Sequence, residues 1–331
     1  MSTGKSKTRS RHNIRKIMTQ YMLLFIVIVV FLVFSVLLKD TFPTINNTMT
    51  FLRQGSIYGA LVLGVTWVLG MGEMDVSFAE IAAFSSVATA YFSNLGLPLD
   101  AAALIAILLG GCFGLLNGFL VTKFRLPSLI VTIAVSGLAK AIGQTLARGK
   151  TVPIVKDTGS VVYNILWGDV AGVPVILIVA AVCMAVMMVI QEKTRFGQYI
   201  YAIGDNKKSA EVAGIRIHSI YRTVFFIASV FAAFGGVMLL LTVNSGQPTI
   251  GSTIFLDSFT KLFLGAMLFK IGKTNVLGTL VGAILMAMLT NGLTQMGASS
   301  YVSQIVTGLL LIVGVALSSI VQKKRNVLVM G

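Results

Sequence analysis

Long apolar runs separated by short polar breaks govern what this chain can fold into. Tyr21 to Leu38 runs without a single charged residue. A helix rises about 1.5 Å per residue, so about 20 apolar residues cross the ~30 Å hydrocarbon core of a bilayer. Comparable runs recur at approximately 54–72, 76–95, 101–122, 128–147, 174–191, 222–243, 257–270, 276–296 and 301–321. Of the 331 residues 56% are apolar and 11% charged, whereas a soluble domain carries about 25% charged residues. Too few charges remain to keep water on a folded surface. With 6 prolines and 2 cysteines, disordered, collagenous and disulfide-stapled classes are excluded too. The pattern predicts an all-α polytopic membrane protein with about ten transmembrane helices.

The net charge of +15 would suggest a nucleic-acid partner in a soluble protein. Here it follows the rule that cytoplasmic loops of membrane proteins hold excess Lys and Arg, and no nucleic-acid partner is expected. Residues 1–20 contain Lys5, Lys7, Arg9, Arg11, Arg15 and Lys16 and no acid. A basic start before an apolar run resembles a signal peptide, but no small-x-small cleavage site precedes Lys39-Asp40, so the run reads as an uncleaved span. With ten spans and both termini cytoplasmic, 19 basic residues fall inside and 5 outside. Lys140 and Lys261 fall within spans near their outer ends, where long side chains can snorkel. The expected organisation is a basic cytoplasmic tail over 1–20, a transmembrane domain over 21–321 and a cytoplasmic tail over 322–331.

Two places interrupt this regularity. The run 257–270 is short and carries Asp257 and Lys261, so it reads as a half-crossing or re-entrant element. The junction Gly72-Glu73-Met74-Asp75-Val76-Ser77 is too short for a solvated loop. Non-helical backbone at membrane depth survives only where it is buried in protein or lines a watery cavity. The junction is thus either part of a translocation path or an inner-face turn, with Ser77 and Glu80 spaced as a capping box. Glu73, Asp75, Ser77, Asn117, Asp257 and Asn291 are the candidate path residues. Asn117-Gly118 and Asn291-Gly292 faintly suggest two related halves. Gly110, Gly111, Gly114 and Gly118, with Gly278 and Gly282, read as close-packing stripes between helices. Cys112 and Cys183 read as small buried apolar residues. Gly272-Lys273-Thr274 resembles the end of a phosphate loop, but the required glycine is replaced by Met267. Metal-ligand and hydrolase motifs are not found, and neither catalytic residues nor a cofactor are expected.

The polar segment 192–222 holds Asn206, a good helix N-cap, and Gly214, a good helix stop. A helix of about two turns between them is marginal in water by itself. It reads as a solvated loop or as a docking knob for a cytoplasmic partner, with Ala210 and Ala213 as its small face.

The stretch Gly197 to Ile215 resembles the cytoplasmic coupling loop of bacterial ABC-importer permeases for ribose, xylose, arabinose and galactose. Gly114-Leu-Leu-Asn117-Gly118 through Pro127 to Thr132 is similar to the fourth-to-fifth-span signature of that family. Gly246-Gln247-Pro248 with Gly251 and Asp257, and Gly272-Lys273 with Gly278 and Gly282, resemble two further signatures. After the second span the family has Gly-Gly-Ile-Asp-Leu-Ser-Val-Gly. This chain keeps Gly72, Asp75 and Ser77 but places Glu73 and Ala79 where glycines stand. The resemblance implies a type II-importer-like permease of the bacterial cytoplasmic membrane, set in membrane lipid. It implies a cytoplasmic ABC ATPase at Gly204, Asp205, Asn206, Ala210, Ala213 and Gly214, a second permease subunit of the same or a sister chain, and an external sugar-binding protein. A secondary transporter would need central intramembrane ionisable groups, and few are evident. A membrane enzyme lacks a catalytic constellation. An ABC permease for amino acids or nucleosides stays open.

Overall fold

A computed structural model describes residues 22–155, 157–266 and 274–329. The basic tail over 1–20 and the turn at Gly272-Lys273 lie outside the described residues. The chain starts with α1 Met22–Leu37, α2 Ile45–Leu63, α3 Val65–Gly70, α4 Phe78–Asn94, α5 Leu99–Lys123 and α6 Ser128–Ala147. A connecting region follows with β1 Val152–Pro153, α7 Val161–Trp167, β2 Asp169–Val170 and β3 Val173–Pro174. Then come α8 Val175–Lys193, α9 Arg195–Asp205, α10 Lys207–Val212 and α11 Ile217–Val243. The chain closes with β4 Ser245–Gly246, α12 Ile250–Gly265, α13 Val276–Gln295 and α14 Ser300–Val329. The last helix therefore continues through most of the expected tail beyond residue 321.

Helix starts follow local chemistry. Pro98, Pro127 and Pro174 stand just before α5, α6 and α8, where a missing N–H costs nothing. The Asn275 side chain accepts from Gly278 N at 2.7 Å to cap α13. The break between α2 and α3 falls at Gly64, where a Cβ would lie 2.4 Å from the Ala228 Cα. The backbone of α11 fills that space.

Among the described residues, α5, α6, α8, α11 and α13 are long and apolar enough to cross a membrane. That is 5 helices, not the ten expected. The reasons are local. Helices α1 and α12 have 16 residues each and α4 has 17. Helix α2 opens on the polar run Asn46-Asn47-Thr48, and α14 is counted only over Ser300–Val313, where its side chains are described. The chain is nonetheless an all-α, multi-pass membrane protein. Leu104, Leu108, Leu115 and Phe119 are exposed along one face of α5, and an uncharged stripe of that length belongs against lipid rather than water.

Helix α11 is the hub of the bundle, burying Tyr221, Phe225, Ala228 and Ala232 among α2, α4 and α5. The glycine stripe of α5 lets it approach. A Cβ on Gly114 would sit 2.3 Å from the Phe225 carbonyl oxygen, and one on Gly118 would sit 2.6 Å from the Arg222 Cα. Gly278 and Gly282 do the same between α13 and α12, where added Cβ atoms would meet Gly265 O at 2.0 Å and Lys261 O at 2.4 Å. The glycine runs thus act as packing surfaces. A second apolar cluster joins Phe34 of α1, Phe42 and Phe51 to Leu285 and Met286 of α13.

Two antiparallel strand pairs fasten the end of the bundle away from α9 and α10. Val152 pairs with Gly246 and Pro153 with Ser245, which clips the α6–α7 connection to the α11–α12 connection. Asp169 pairs with Pro174 and Val170 with Val173. Asp100 caps α7, accepting from Ser160 Oγ, Val161 N and Val162 N at 2.7, 3.1 and 2.9 Å. Two burial expectations are corrected. Cys112 is exposed on the outer side of α5, since the helix buries its glycine face instead. Lys261 does not snorkel: its side chain is 2% exposed and pairs with Asp257 one turn earlier.

Candidate functional site

The backbone from Gly72 to Ser77, between α3 and α4, is non-helical; Asp75 and Ser77 are buried, Glu73 and Val76 half-buried, and Gly72 and Met74 exposed. Gly72 takes a φ of +76°, which an L side chain rarely adopts. Met74 N donates to Ser128 Oγ at 3.1 Å and Val76 N to Thr132 Oγ1 at 3.3 Å. The first turns of α6 thereby satisfy amides that lipid would leave stranded. Asp75 Oδ1 accepts from Ser77 N at 2.8 Å and from Ser77 Oγ at 2.6 Å. Asn117 Nδ2 of α5 then donates to Ser77 Oγ at 2.8 Å. Asp75, Ser77 and Asn117 are all fully buried. Asp75 Oδ2 and Asn117 Oδ1 are without partners among the described residues. The expected capping box does not form, because Ser77 Oγ is committed to Asp75 and Glu80 Oε1 lies 3.5 Å from Lys140 Nζ.

Glu73 belongs to a different constellation. Tyr221 Oη of α11 donates to Glu73 Oε1 at 2.5 Å, and Lys207 Nζ of α10 lies 3.6 Å from the same oxygen. The Lys207 ammonium also stands 4.5 Å from the centroid of the Tyr221 ring. The junction is therefore tied to the first residue of the predicted docking helix. Backbone packing reinforces the tie. A Cβ on Gly204 would lie 2.2 Å from Gly70 O, and one on Gly70 would lie 3.2 Å from Ile200 Cγ2. Trp67 of α3 and Phe196 of α9 meet edge to face at 5.5 Å between centroids. Read from sequence these are two separate features, and Glu73 standing where the family has glycine was the available signal for their union.

Within the segment 192–222, Asn206 Oδ1 accepts from Ser209 N at 3.0 Å and opens α10. Gly214 ends it with a φ of +81°. The two alanines separate: Ala210 is buried against the bundle, and Ala213 is exposed. Asp205 is exposed beside them. The residue that sequence reasoning missed is Val212, which is 90% exposed. An apolar side chain held into solvent on a capped helix was a signal in reach. On α9, burial and the Glu192 carboxylate both push the Tyr201 phenol above its usual range, so it stays protonated.

The remaining candidates lie toward the other end of the bundle. Asp257 pairs with Lys261, whose ammonium stands 3.8 Å from the Tyr58 ring centroid. Asp257 also borders a cavity of about 570 Å³ between α2, α12, α13 and α14. Asn291 Oδ1 accepts from Gln295 Nε2 at 2.8 Å, which also donates to Asn47 Oδ1 at 2.7 Å. Asn117 and Asn291 thus sit in unlike surroundings, so the paired Asn-Gly runs do not mark equivalent sites.

The sequence model of a family described as "Branched-chain amino acid transport system / permease component" matches residues 47–315. The Haemophilus influenzae ribose import permease protein RbsC is 26% identical over 302 residues, covering 91% of this chain and 94% of that protein. The Escherichia coli K12 ABC transporter permease protein YphD is 30% identical over 304 residues, covering 92% of this chain and 90% of its own. Among solved structures, an ABC transporter of the metal-chelate type in an inward-facing conformation aligns with a TM-score of 0.51 at 14% identity. That alignment covers 92% of this chain and 98% of the other. It supports a shared fold alone.

Proposed function

The chain belongs to the family described as branched-chain amino acid transport system permease components, and from that premise we propose that it imports a monosaccharide or sugar-like solute. It is a translocation subunit of an ABC importer within the sugar-transport superfamily, not an enzyme. The observation that carries the sugar reading is end-to-end similarity to a ribose import permease, over 94% of that protein's length. In this reading all ten principal helices cross the bacterial cytoplasmic membrane. The short ones cross as parts of a bundle in which neighbouring helices satisfy their polar groups. Both termini lie in the cytoplasm, and two permease subunits pair.

A cytoplasmic ATPase supplies the energy. It engages the segment Gly204 to Gly214, with Val212 and Ala213 presented outward and Ala210 holding α10 to the bundle. An external binding protein delivers the solute and carries most of the selectivity. Movement of α10 reaches the Gly72–Ser77 junction through Lys207, Glu73 and Tyr221, and the polar node of Asp75, Ser77 and Asn117 shifts with it.

The family description favours one second reading, an amino-acid permease. Uptake separates the two. Permease, ATPase and binding protein, reconstituted together in proteoliposomes, should take up one of D-ribose, D-xylose, L-arabinose or D-galactose only with ATP inside. ATP-dependent uptake of leucine with none of the four sugars moved would overturn the sugar assignment. Sugar uptake driven by a proton gradient without the ATPase would overturn the ABC mechanism.

A further inference from the structure

Resting on the sugar reading above, we propose that the cavity between α2, α12, α13 and α14 is a binding chamber for a neutral polyhydroxylated solute on its way across. Its volume of about 570 Å³ falls in the range of small-molecule sites, roughly 300–1,000 Å³. The position suits entry from the face opposite the coupling segment. Gln54 on its rim stands about 24 Å along the helix direction from Gly70, at 1.5 Å per residue.

The lining carries the argument. Gln54 of α2, Thr253 of α12, and Ser303 and Gln304 of α14 all face the cavity. None of these four side chains hydrogen-bonds to another described residue. Gln54, Thr253 and Gln304 are exposed and Ser303 is half-buried, so their amides and hydroxyls are open to the cavity and uncommitted. Each amide and hydroxyl group offers both a donor and an acceptor, which is also what every hydroxyl of a sugar offers.

The charges of the chamber cancel locally. Lys261 is buried, paired with Asp257 and laid over the Tyr58 ring at 3.8 Å. Lys261 is committed to Asp257, whose side chain stays 29% exposed, and the pair presents no net charge to a solute. The chamber therefore suits a neutral solute. Lys261 and Asp257 act as positioning residues: their pairing fixes the α12 wall against α2.

The test uses the full importer in proteoliposomes, with Cys112→Ala and Cys183→Ala in the permease and a single Gln304→Cys. A membrane-impermeant thiosulfonate is added outside. The new thiol should react, and D-ribose, D-xylose or L-arabinose, whichever the wild type transports, should slow the reaction about 3- to 10-fold, as one hydrogen bond's worth of binding would. Tetrahydropyran, a ring of like size without hydroxyls, should not slow it. Ser303→Cys repeats the measurement should the first variant fail to reach the membrane. A thiol that never reacts, covered by lipid or by the second subunit, overturns the proposal. So does reaction unaffected by the transported sugar, or slowed equally by tetrahydropyran. Normal sugar uptake with no protection sinks the chamber alone. Uptake of leucine and protection by leucine sink the sugar reading together with it.

Discussion

Replacing Tyr221 by Phe tests whether the junction and α10 are joined as the geometry indicates. The tie has two unequal members. Tyr221 is fully buried and donates to the Glu73 carboxylate at 2.5 Å. A hydrogen bond to a charged group contributes about 1.5–3 kcal/mol. Lys207 approaches the same oxygen at 3.6 Å, but its side chain is 53% exposed. Screening by water reduces such a pair to about 0–1 kcal/mol. Tyr221→Phe should therefore lower the thermal stability of the purified permease by more than Lys207→Met does. In a double-mutant cycle with Glu73→Ala, the Tyr221 arm should show coupling of about 1.5–3 kcal/mol and the Lys207 arm about 1 kcal/mol at most. The functional readout is solute moved per ATP hydrolysed in the reconstituted importer. Both variants should lower that ratio while the ATPase stays bound. Equal stability losses in the two variants would refute the energetic ranking. A Tyr221→Phe effect that persists undiminished in the Glu73→Ala background would refute the tie itself.

Other outcomes follow from single contacts. Ala213→Glu places a carboxylate on the exposed face of α10, so membrane levels should stay normal while co-purification with the ATPase and uptake both fail; Ala210→Glu buries its charge in the permease and should lower membrane levels instead, which immunoblotting distinguishes. Gly114→Val forces a Cβ to within 2.3 Å of the Phe225 carbonyl, and a loss of about 1–3 kcal/mol or more should appear as aggregation in detergent gel filtration. Ser77→Ala removes the hydroxyl that bridges Asp75 and Asn117 and should cost about 1–3 kcal/mol, more than Asn117→Leu, which leaves the Asp75–Ser77 bonds in place. Thermal melts of the two proteins should rank them in that order.

What the sequence makes legible is mostly local. Asn206 and Gly214 bracket α10 as their capping chemistry requires, and the prolines and glycines mark helix starts and close approaches. The Gly114 and Gly278 stripes are readable because small residues at helical spacing in an apolar run have few other uses. What stays hidden depends on which face turns inward. Ala210 and Ala213 lie three apart, close to one face of a helix, yet α10 is a single short element and only Ala210 packs against the bundle. Cys112 shares α5 with the glycine stripe but points away from it. Lys261 is read as snorkelling because its depth is visible in sequence and its partner is not, although Asp257 at the i−4 position offers the pairing. Hydropathy alone also overstates the number of independently membrane-competent helices. Part of the apolar content of α4 and α12 serves helix–helix packing in elements of 17 and 16 residues.

Glu73 shows how a long-range contact can change what a familiar motif does. A glycine at this position, as in the family pattern the junction resembles, has no side chain with which to reach Tyr221 or Lys207. The backbone contact between Gly204 and Gly70 O would remain, so α9 would still rest on α3, but α10 would be held by its own caps, by Ala210 and by the Lys207 ammonium over the Tyr221 ring. In this chain the carboxylate adds a polar tie at the point where a rigid backbone contact gives way to a short helix. The proposed coupling movement is then carried in two ways. Steric packing transmits a push from α9 to α3, and the Tyr221–Glu73–Lys207 tie transmits a pull from α10. Glu73→Gly should accordingly leave the push intact and weaken the pull. Because closure and reopening of the path would use opposite directions of motion, that variant should slow one half of the cycle more than the other. Equal slowing of both halves, measured as single-turnover uptake and as subsequent ATPase reset, would leave the polar tie no directional role.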